Sequence, residues 1–354
     1  MSTLEHELEK LRLFAKPALF PYAWGGSAGT AMLRVAPEDF GVIECGAVLP
    51  TGVGEHLLLR VRKTGQNTRW VAKRLAELAN VPYRSVSYAG LKDRHAVTEQ
   101  WFSVHLPGQP DPELLLDADC GFEVLESCRH DHKLRPGQLS HNLFELRLRD
   151  CRLANPEQLE FSLSNIRESG VPNYFGAQRF GRAQGNLYLL NSAAGLRRIN
   201  REAKSFALSA LRSALFNGYL AERVADGSWS TALDGEKLIS DRPRGSTEHA
   251  AGGLSNRRST TGLLWGQKPQ WSDGIAGERE QAFYNRFPQL LHLLEKAGCR
   301  CSRRVLTAQV GELNWSLQDD QAVVTFALGP GSYATMVVRE LVDAKDMALQ
   351  ESEA

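Results

Sequence analysis

Residues 88–95 carry the side chains best suited to chemistry. A carboxylate, Asp93, stands between the cations Lys92 and Arg94 and is followed by His95. The pattern predicts a strand that ends at Gly90 and a loop that holds Asp93. Two adjacent cations favour the ionised carboxylate, which suits nucleophilic or base catalysis on a loop. The same segment would also serve as a turn or helix cap with solvated cations.

A second group lies in residues 173–182. Tyr174, Phe175 and Phe180 alternate there with Arg179 and Arg182, and two glycines separate them. Rings and guanidinium groups in this order predict a loop that stacks on bases and contacts phosphates. A tightly turned segment whose rings fill the core would have the same composition.

A third group, residues 329–333, places Tyr333 after a Gly-Pro-Gly turn and before a predicted helix. Exposed amides at a helix start bind anions, and the ring would pack on a base. A turn without a ligand is the alternative interpretation.

Fingerprints of cofactors and metals are missing from the sequence. It contains no Gly-x-Gly-x-x-Gly dinucleotide loop, no triphosphate-binding loop and no His-Glu-x-x-His. Cys299 and Cys301 form a lone pair, and only His130, Asp131 and His132 approach a ligand cluster, so both zinc signals are weak. The sequence therefore predicts neither a cofactor nor a metal.

Charge is distributed unevenly, although the formal net charge is only +1. Residues 55–100 contain nine Lys or Arg against four acids, and residues 172–212 contain seven against one. Two basic stretches suit a long phosphate-bearing ligand, but solvated helix faces would look the same. Six scattered cysteines, no leader-like start and no apolar run of membrane-spanning length predict a cytoplasmic protein without a membrane segment.

The elements that must position these groups change along the 354 residues. Short runs predict strands up to residue 149, including 33–35 and 56–62, with a helix that Asn67 or Thr68 would cap. Helices dominate from 156 to 224, residues 241–270 indicate loops, and helices around a break at Pro288 precede further strands. This order predicts an α+β fold with a largely antiparallel sheet and an inserted domain whose ends lie side by side.

Seven blocks, taken together, make the sequence similar to the TruD family of pseudouridine synthases. They extend from about residue 33 to about 342, and the blocks are residues 37–44, 54–68, 89–100, 133–137, 142–144, 173–186 and 331–341.

The resemblance implies a V-shaped molecule with a pseudouridine-synthase catalytic domain (residues 1–167 and 308–354) and an inserted TRUD domain (residues 168–307). It implies that uridine, expected at position 13 in the D arm of tRNA, is isomerised without a cofactor. The catalytic aspartate of the family falls on Asp93, which either attacks C1′ or abstracts the 2′ proton. A monomer acting on tRNA is expected.

Matching residue by residue also implies a substrate site. Phe40, Asn142 and Tyr333 would contact the target nucleotide, Phe144 would stack on its ring, and Arg34 would pair bidentately with the catalytic carboxylate. Lys92, Arg94, Arg179 and Arg182 are the candidate RNA contacts. Tyr333 replaces a frequent Phe, and His141 stands where glycine is common, so any special backbone conformation there is in question.

Three alternatives remain at this point. The first is a non-catalytic RNA-binding protein or tRNA chaperone. The second is another RNA-modifying enzyme such as a methyltransferase, for which no glycine-rich loop or adenosine-binding acid is present. The third is an enzyme of a small metabolite, against which the basic, aromatic-laced stretches weigh.

Overall fold

The structure is a computed structural model that describes residues 3–46, 48–114, 120–190, 200–240 and 258–350; the side chains of Arg182, Ser240 and Gln350 are outside the described part. The strands in chain order are β1 (Gly29–Leu33), β2 (Phe40–Cys45), β3 (His56–Thr64), β4 (Val86–Tyr88), β5 (Val97–His105), β6 (Phe122–His130), β7 (His141–Leu153), β8 (Val171–Pro172), β9 (Ile239–Ser240), β10 (Arg258–Ser259), β11 (Thr261–Leu264), β12 (Ser302–Val305), β13 (Thr307–Ala308), β14 (Val310–Gln318), β15 (Gln321–Leu328) and β16 (Asp343–Asp346).

The helices are α1 (Thr3–Leu13), α2 (Thr68–Leu78), α3 (Pro156–Ser169), α4 (Gly185–Tyr188), α5 (Arg201–Ala225), α6 (Gly274–Tyr284), α7 (Pro288–Lys296), α8 (Ala334–Leu341) and α9 (Met347–Gln350). None of the helices in the described part of the chain combines the length and apolarity needed to cross a membrane.

Within the described residues, one large sheet of ten strands dominates the fold. Seven strands follow the order β14-β15-β7-β2-β5-β3-β6, β1 joins β7 to β16, and β4 pairs with β5. Only the pairs β1–β16 and β2–β5 of this sheet are parallel. The predicted α+β class with a largely antiparallel mixed sheet is confirmed.

One face of the sheet packs on α2 because β3 places an apolar residue at every second position over 57–61, while Leu58 belongs to a different core cluster. Leu57, Leu59 and Val61 are buried against Val71 and Leu75 of α2. The helix begins where predicted, since the Asn67 side chain accepts a hydrogen bond from the first-turn amide of Arg69. This packing fixes the start of α2 beside the loop after β4.

A separate core surrounds the long helix α5. Its residues Leu211 and Leu215 are buried in one cluster with Leu8 and Leu11 of α1. The Glu7 carboxylate accepts hydrogen bonds from the first amides of α7, Gln289 N and Leu290 N. The first helix therefore packs with the predicted insertion, and the predicted domain boundaries stay a prediction.

The chain enters and leaves the predicted insertion at neighbouring points. Val171 pairs with Ala308, and Pro172 pairs with Thr307, in the short antiparallel ladder β8–β13. Gly170 ends α3 with a φ of 74°, and a Cβ there would lie 2.3 Å from the carbonyl oxygen of Ala308. Only glycine allows both the left-handed turn and the close approach.

Two sequence expectations differ from the structure. Residues 241–270 were expected as loops, but β11 lies among them and pairs with β12; residues 241–257 are outside the described part. A strand was expected over 33–35, but β1 ends at Leu33 because Arg34 adopts a left-handed backbone with a φ of 58°. His141, in contrast, is the first residue of β7 and is not among the described residues with positive φ.

Candidate active site

Asp93 lies on the loop after β4, on the wall of a cleft of about 600 Å³. Strand residues from the large sheet line one side of the cleft, and the start of α8 and the segment before α4 line the other. The residues that line the cleft include Phe40, Lys92, Asp93, Arg94, Asn142, Phe144, Gln178, Arg179 and Tyr333. The volume falls within the roughly 300–1,000 Å³ usual for ligand sites.

The first residue of α2, Thr68, holds the loop that carries Asp93. The Thr68 hydroxyl accepts a hydrogen bond from Lys92 N at 3.0 Å and donates to Gln100 Oε1 at 3.0 Å. The Gln100 amide in turn donates to the carbonyl of Gly90 at 3.1 Å. Thr68 and Gln100 are buried, so these bonds fix the loop conformation.

A buried lysine also holds the loop. Lys63, from β3, is fully buried, and its Nζ donates to the main-chain oxygen of Asp93 at 2.7 Å. Burial lowers the pKa of Lys63 to about 8; the nearby Asp93 charge opposes this shift and Lys92 adds to it. A titratable cation therefore lies directly behind the candidate nucleophile.

The carboxylate of Asp93 is bound on one side only. Arg34 Nη1 donates to Oδ2 at 2.5 Å, and Gln178 Nε2 donates to the same oxygen at 3.3 Å. Within the described residues, Oδ1 has no hydrogen-bond donor. The Asp93 side chain is 24% exposed, so this second oxygen is available to a ligand in the cleft.

Arg34 pairs with Asp93 as predicted, but the bidentate geometry was assigned to the wrong carboxylate. Its Nε and Nη2 donate to the two oxygens of Asp346, and a single nitrogen contacts Asp93. Burial would lower the pKa of Arg34, but its hydrogen bonds and charge interactions with the two carboxylates raise it overall. The guanidinium is therefore a fixed cation.

Lys92 points toward the sheet. Its Nζ lies 3.1 Å from Glu44 Oε2 and donates to Asn142 Oδ1, and its side chain is only 7% exposed. Burial raises the pKa of Glu44, which Lys92 partly offsets. The predicted RNA contact through Lys92 is thus limited to a small exposed area, while Asn142 is oriented by the ammonium.

Aromatic rings form a platform beside the carboxylate. Phe144 stacks on Phe326 with ring centroids 5.3 Å apart and meets Phe40 edge to face at 6.1 Å. The Arg34 guanidinium lies 5.3 Å from the Phe40 centroid. Phe40 and Phe144 lie on the paired strands β2 and β7, where Val42 is opposite Phe144, and both rings line the cleft.

Tyr333 forms the opposite wall. It precedes α8 and contacts the edge of Phe175, with centroids 5.9 Å apart. Burial raises the pKa of Tyr333, and the charges of Arg179 and Arg304 oppose the shift. A Cβ on Gly176 would lie 2.9 Å from the Tyr333 ring, so glycine at 176 lets the ring approach.

The candidate RNA-contacting arginines differ in exposure. Arg94 is exposed and donates to the carbonyl of Gly65 at 3.3 Å. Arg179 is half-buried and donates to the hydroxyls of Ser213 and Ser209 on α5. The side chain of Arg182 lies outside the described residues.

Much of the positive charge counted in the sequence is neutralised locally. Arg60 and Arg62 both contact Glu99, at 2.7 Å each. Arg74 contacts Glu77 on α2 at 2.6 Å. The basic stretch over 55–100 therefore contains fewer free cations than its composition indicates.

One group of potential metal ligands lies outside the cleft. Side-chain atoms of His130, Asp131 and His132 lie within 4.8 Å of one another, and His132 Nδ1 is 2.6 Å from Asp131 Oδ1. Three consecutive residues at a strand end bring these atoms together through sequence proximity alone.

Sequence reasoning did not identify five residues that order the site, namely Glu44, Lys63, Thr68, Gln178 and Asp346. Four of them lie inside the quoted blocks, where their polar side chains were the available signal. Asp346 lies in a polar segment beyond the last block, and nothing in the sequence distinguishes it.

Comparison with known proteins gives a consistent result. A family model described as tRNA pseudouridine synthase D (TruD) matches residues 19–193 and 190–341. A tRNA pseudouridine synthase D of Pseudomonas entomophila (strain L48) is 43% identical over 334 residues, covering 92% of this chain and 95% of that protein. The protein of the same name from Aeromonas salmonicida (strain A449) is 40% identical over 333 residues, covering 92% and 94%.

The fold is shared with a solved structure. The crystal structure titled as tRNA pseudouridine synthase D from Methanosarcina mazei matches with a TM-score of 0.63 at 21% identity, covering 91% of this chain and 95% of that one. At this identity the likeness shows the fold alone.

Proposed function

The chain belongs to the tRNA pseudouridine synthase D family, and on that premise we propose that it isomerises a uridine of tRNA to pseudouridine with Asp93 as the reacting carboxylate. The proposed target is uridine 13 in the D arm. The observation that carries the proposal is the asymmetry of Asp93, a residue that lines the cleft: Arg34 holds its Oδ2, while Oδ1 has no donor among the described residues.

The reaction exchanges one bond for another within the nucleotide. The N1–C1′ bond breaks, the detached uracil turns, and a C5–C1′ bond forms. C5 loses its proton and N1 gains one, so no external oxidant or reductant is required. Asp93 would act through Oδ1, either by attack on C1′ or by abstraction of the 2′ proton.

The residues around Asp93 support either route. Arg34 fixes the carboxylate and balances its charge, and Lys63 adds a second buried cation. Because a carboxylate that is already oriented loses little freedom in the transition state, these contacts lower the barrier through preorganisation.

The uridine must leave its helical stack to reach this cleft, which costs a few kcal/mol. We assign Phe144 and Phe40 to stack on or border the extruded nucleotide, Tyr333 to face it, and Asn142, oriented by Lys92, to hydrogen-bond with it. Base–aromatic stacking is worth about 1–3 kcal/mol per base, so it offsets a comparable part of the extrusion cost.

Contacts with the rest of the tRNA are assigned to Arg94 and Arg179, at the rim of the cleft. We retain residues 1–167 and 308–354 as the catalytic domain and 168–307 as the insertion. The proposed enzyme acts as a monomer in the cytoplasm and requires neither cofactor nor metal.

Tritium release tests the proposal. A tRNA transcript labelled with tritium at uracil C5 is incubated with wild type, with Asp93→Asn, and with Asp111→Asn, an exposed carboxylate outside the cleft. We expect release with wild type and Asp111→Asn, and none with Asp93→Asn. A second transcript with cytidine at position 13 should release no tritium.

The outcomes separate the alternatives. Release that persists in Asp93→Asn would refute the role of this carboxylate. Release from the position-13 variant transcript would refute the target site only. Tight, salt-sensitive binding of tRNA by wild type without release would instead indicate a non-catalytic RNA-binding protein.

A further inference from the structure

Arg34 contacts two carboxylates at once, and Asp346 takes the larger share. Arg34 Nε donates to Asp346 Oδ1 at 2.9 Å, and Arg34 Nη2 donates to Asp346 Oδ2. One edge of the guanidinium is therefore fully hydrogen-bonded to Asp346. Only Nη1 reaches Asp93, at 2.5 Å. The side chains of Arg34 and Asp346 are 2% and 12% exposed, so water does not compete strongly for these bonds.

The pairing of two distant strands places Asp346 there. In the parallel pair β1–β16, Leu33 lies opposite Asp346. Arg34 follows immediately, and its left-handed backbone, with a φ of 58°, takes the chain out of the strand at this point. The strand register thus brings the carboxylate beside the guanidinium.

We propose that Asp346 is a positioning residue for the isomerisation, which rests on the function proposed above. By occupying Nε and Nη2, it leaves Arg34 a single nitrogen for Oδ2 of Asp93 and keeps Oδ1 free for the sugar. A planar guanidinium fork frequently pairs bidentately with a carboxylate. Without Asp346, the fork would turn and bind both oxygens of Asp93.

Asp346 does not line the cleft that contains Asp93; it borders a separate cavity of about 370 Å³. Its replacement therefore removes no side chain that lines the cleft. The expected effect is a loss in the chemical step with little change in tRNA binding.

The test compares Asp346→Asn with the control variant Asp343→Asn. Asp343 is an exposed aspartate on the same strand as Asp346. Tritium release under single-turnover conditions gives the rate, and filter binding gives the Kd for tRNA. We expect Asp346→Asn to lower the rate about 10- to 100-fold, since small misplacements of reacting groups have effects of this size. The Kd should not change, and Asp343→Asn should match wild type in both.

A double-mutant cycle distinguishes positioning from general structural damage. In an Arg34→Gln background, Asp346→Asn should add no further loss, because its effect passes through the guanidinium. Asp346→Glu keeps two acceptor oxygens and should retain more activity than Asp346→Asn. If Asp346→Asn does not fold, the rate of Asp346→Glu still tests the proposal.

Several results would overturn the inference. These are a wild-type rate in Asp346→Asn, an equal loss in both backgrounds, an equal loss for the glutamate and asparagine variants, or an equal loss in Asp343→Asn. Absence of release by wild type would instead refute the proposed function and the inference with it.

Discussion

Replacement of the buried Lys63 by Met should change how the stability of the protein depends on pH. Burial lowers the pKa of Lys63 to about 8, against 10.5 in an unfolded chain. Below pH 8 Lys63 is protonated in both the folded and the unfolded state, so the free energy of unfolding is reduced by the full cost of burying the charge. Between pH 8 and 10.5 the folded state has lost the proton that the unfolded state still binds, so this contribution to stability rises with pH.

The size of the change in the free energy of unfolding follows from the pKa shift of Lys63. The slope is about 1.4 kcal/mol per pH unit for one proton, and the whole shift corresponds to about 3 kcal/mol. Methionine has a similar shape but no charge, so its contribution does not titrate. The free energy of unfolding of wild type minus that of Lys63→Met should therefore increase by about 3 kcal/mol from pH 7.5 to pH 10.5.

Urea unfolding at four pH values within this range measures the difference directly. Lys73→Met is the control for removal of a lysine as such, because Lys73 is an exposed residue of α2. Other groups that titrate in this range cancel between wild type and variant. A difference that does not vary with pH, or that varies equally for Lys73→Met, would refute the reasoning.

Two further substitutions test the walls of the cleft. Tyr333→Phe should keep the rate of tritium release within about 3-fold of wild type, since the ring contact with Phe175 remains; a loss beyond 100-fold would show that the hydroxyl takes part. Arg94→Gln should reduce the slope of log K against log salt for tRNA binding by about 1. Arg84→Gln, an exposed arginine that does not line the cleft, should not.

The sequence predicted the parts of the site whose signal is local. Asp93 and its flanking cations form one contiguous segment, and the cap at Asn67 and the alternation in β3 follow from neighbouring residues. The pairing of Arg34 with Asp93 came from the family pattern. These features need only short stretches of chain or a matched motif to be identified.

The remaining features depend on contacts between distant segments. Strand β16 reads Asp-Ala-Lys-Asp, which has no apolar alternation, and it forms only because β1 offers a free edge. Asp346 was therefore not predicted, and the bidentate partner of Arg34 was assigned wrongly. Similarly, the direction of Lys92 is set by the buried Glu44, which lies 48 residues earlier in the chain.

The side-by-side ends of the predicted insertion, at the pair Val171–Ala308, bear on how the chain folds. Strands β7 and β15 are neighbours in the sheet, yet about 170 residues separate them, and closing so long a loop is entropically costly. If the segment between β8 and β13 folds first, the effective loop shrinks to roughly 30 residues, and the closure cost falls by about 1.5 kcal/mol. That difference favours early folding around α5 and late closure of the large sheet, an order that pulse-labelled hydrogen exchange would resolve.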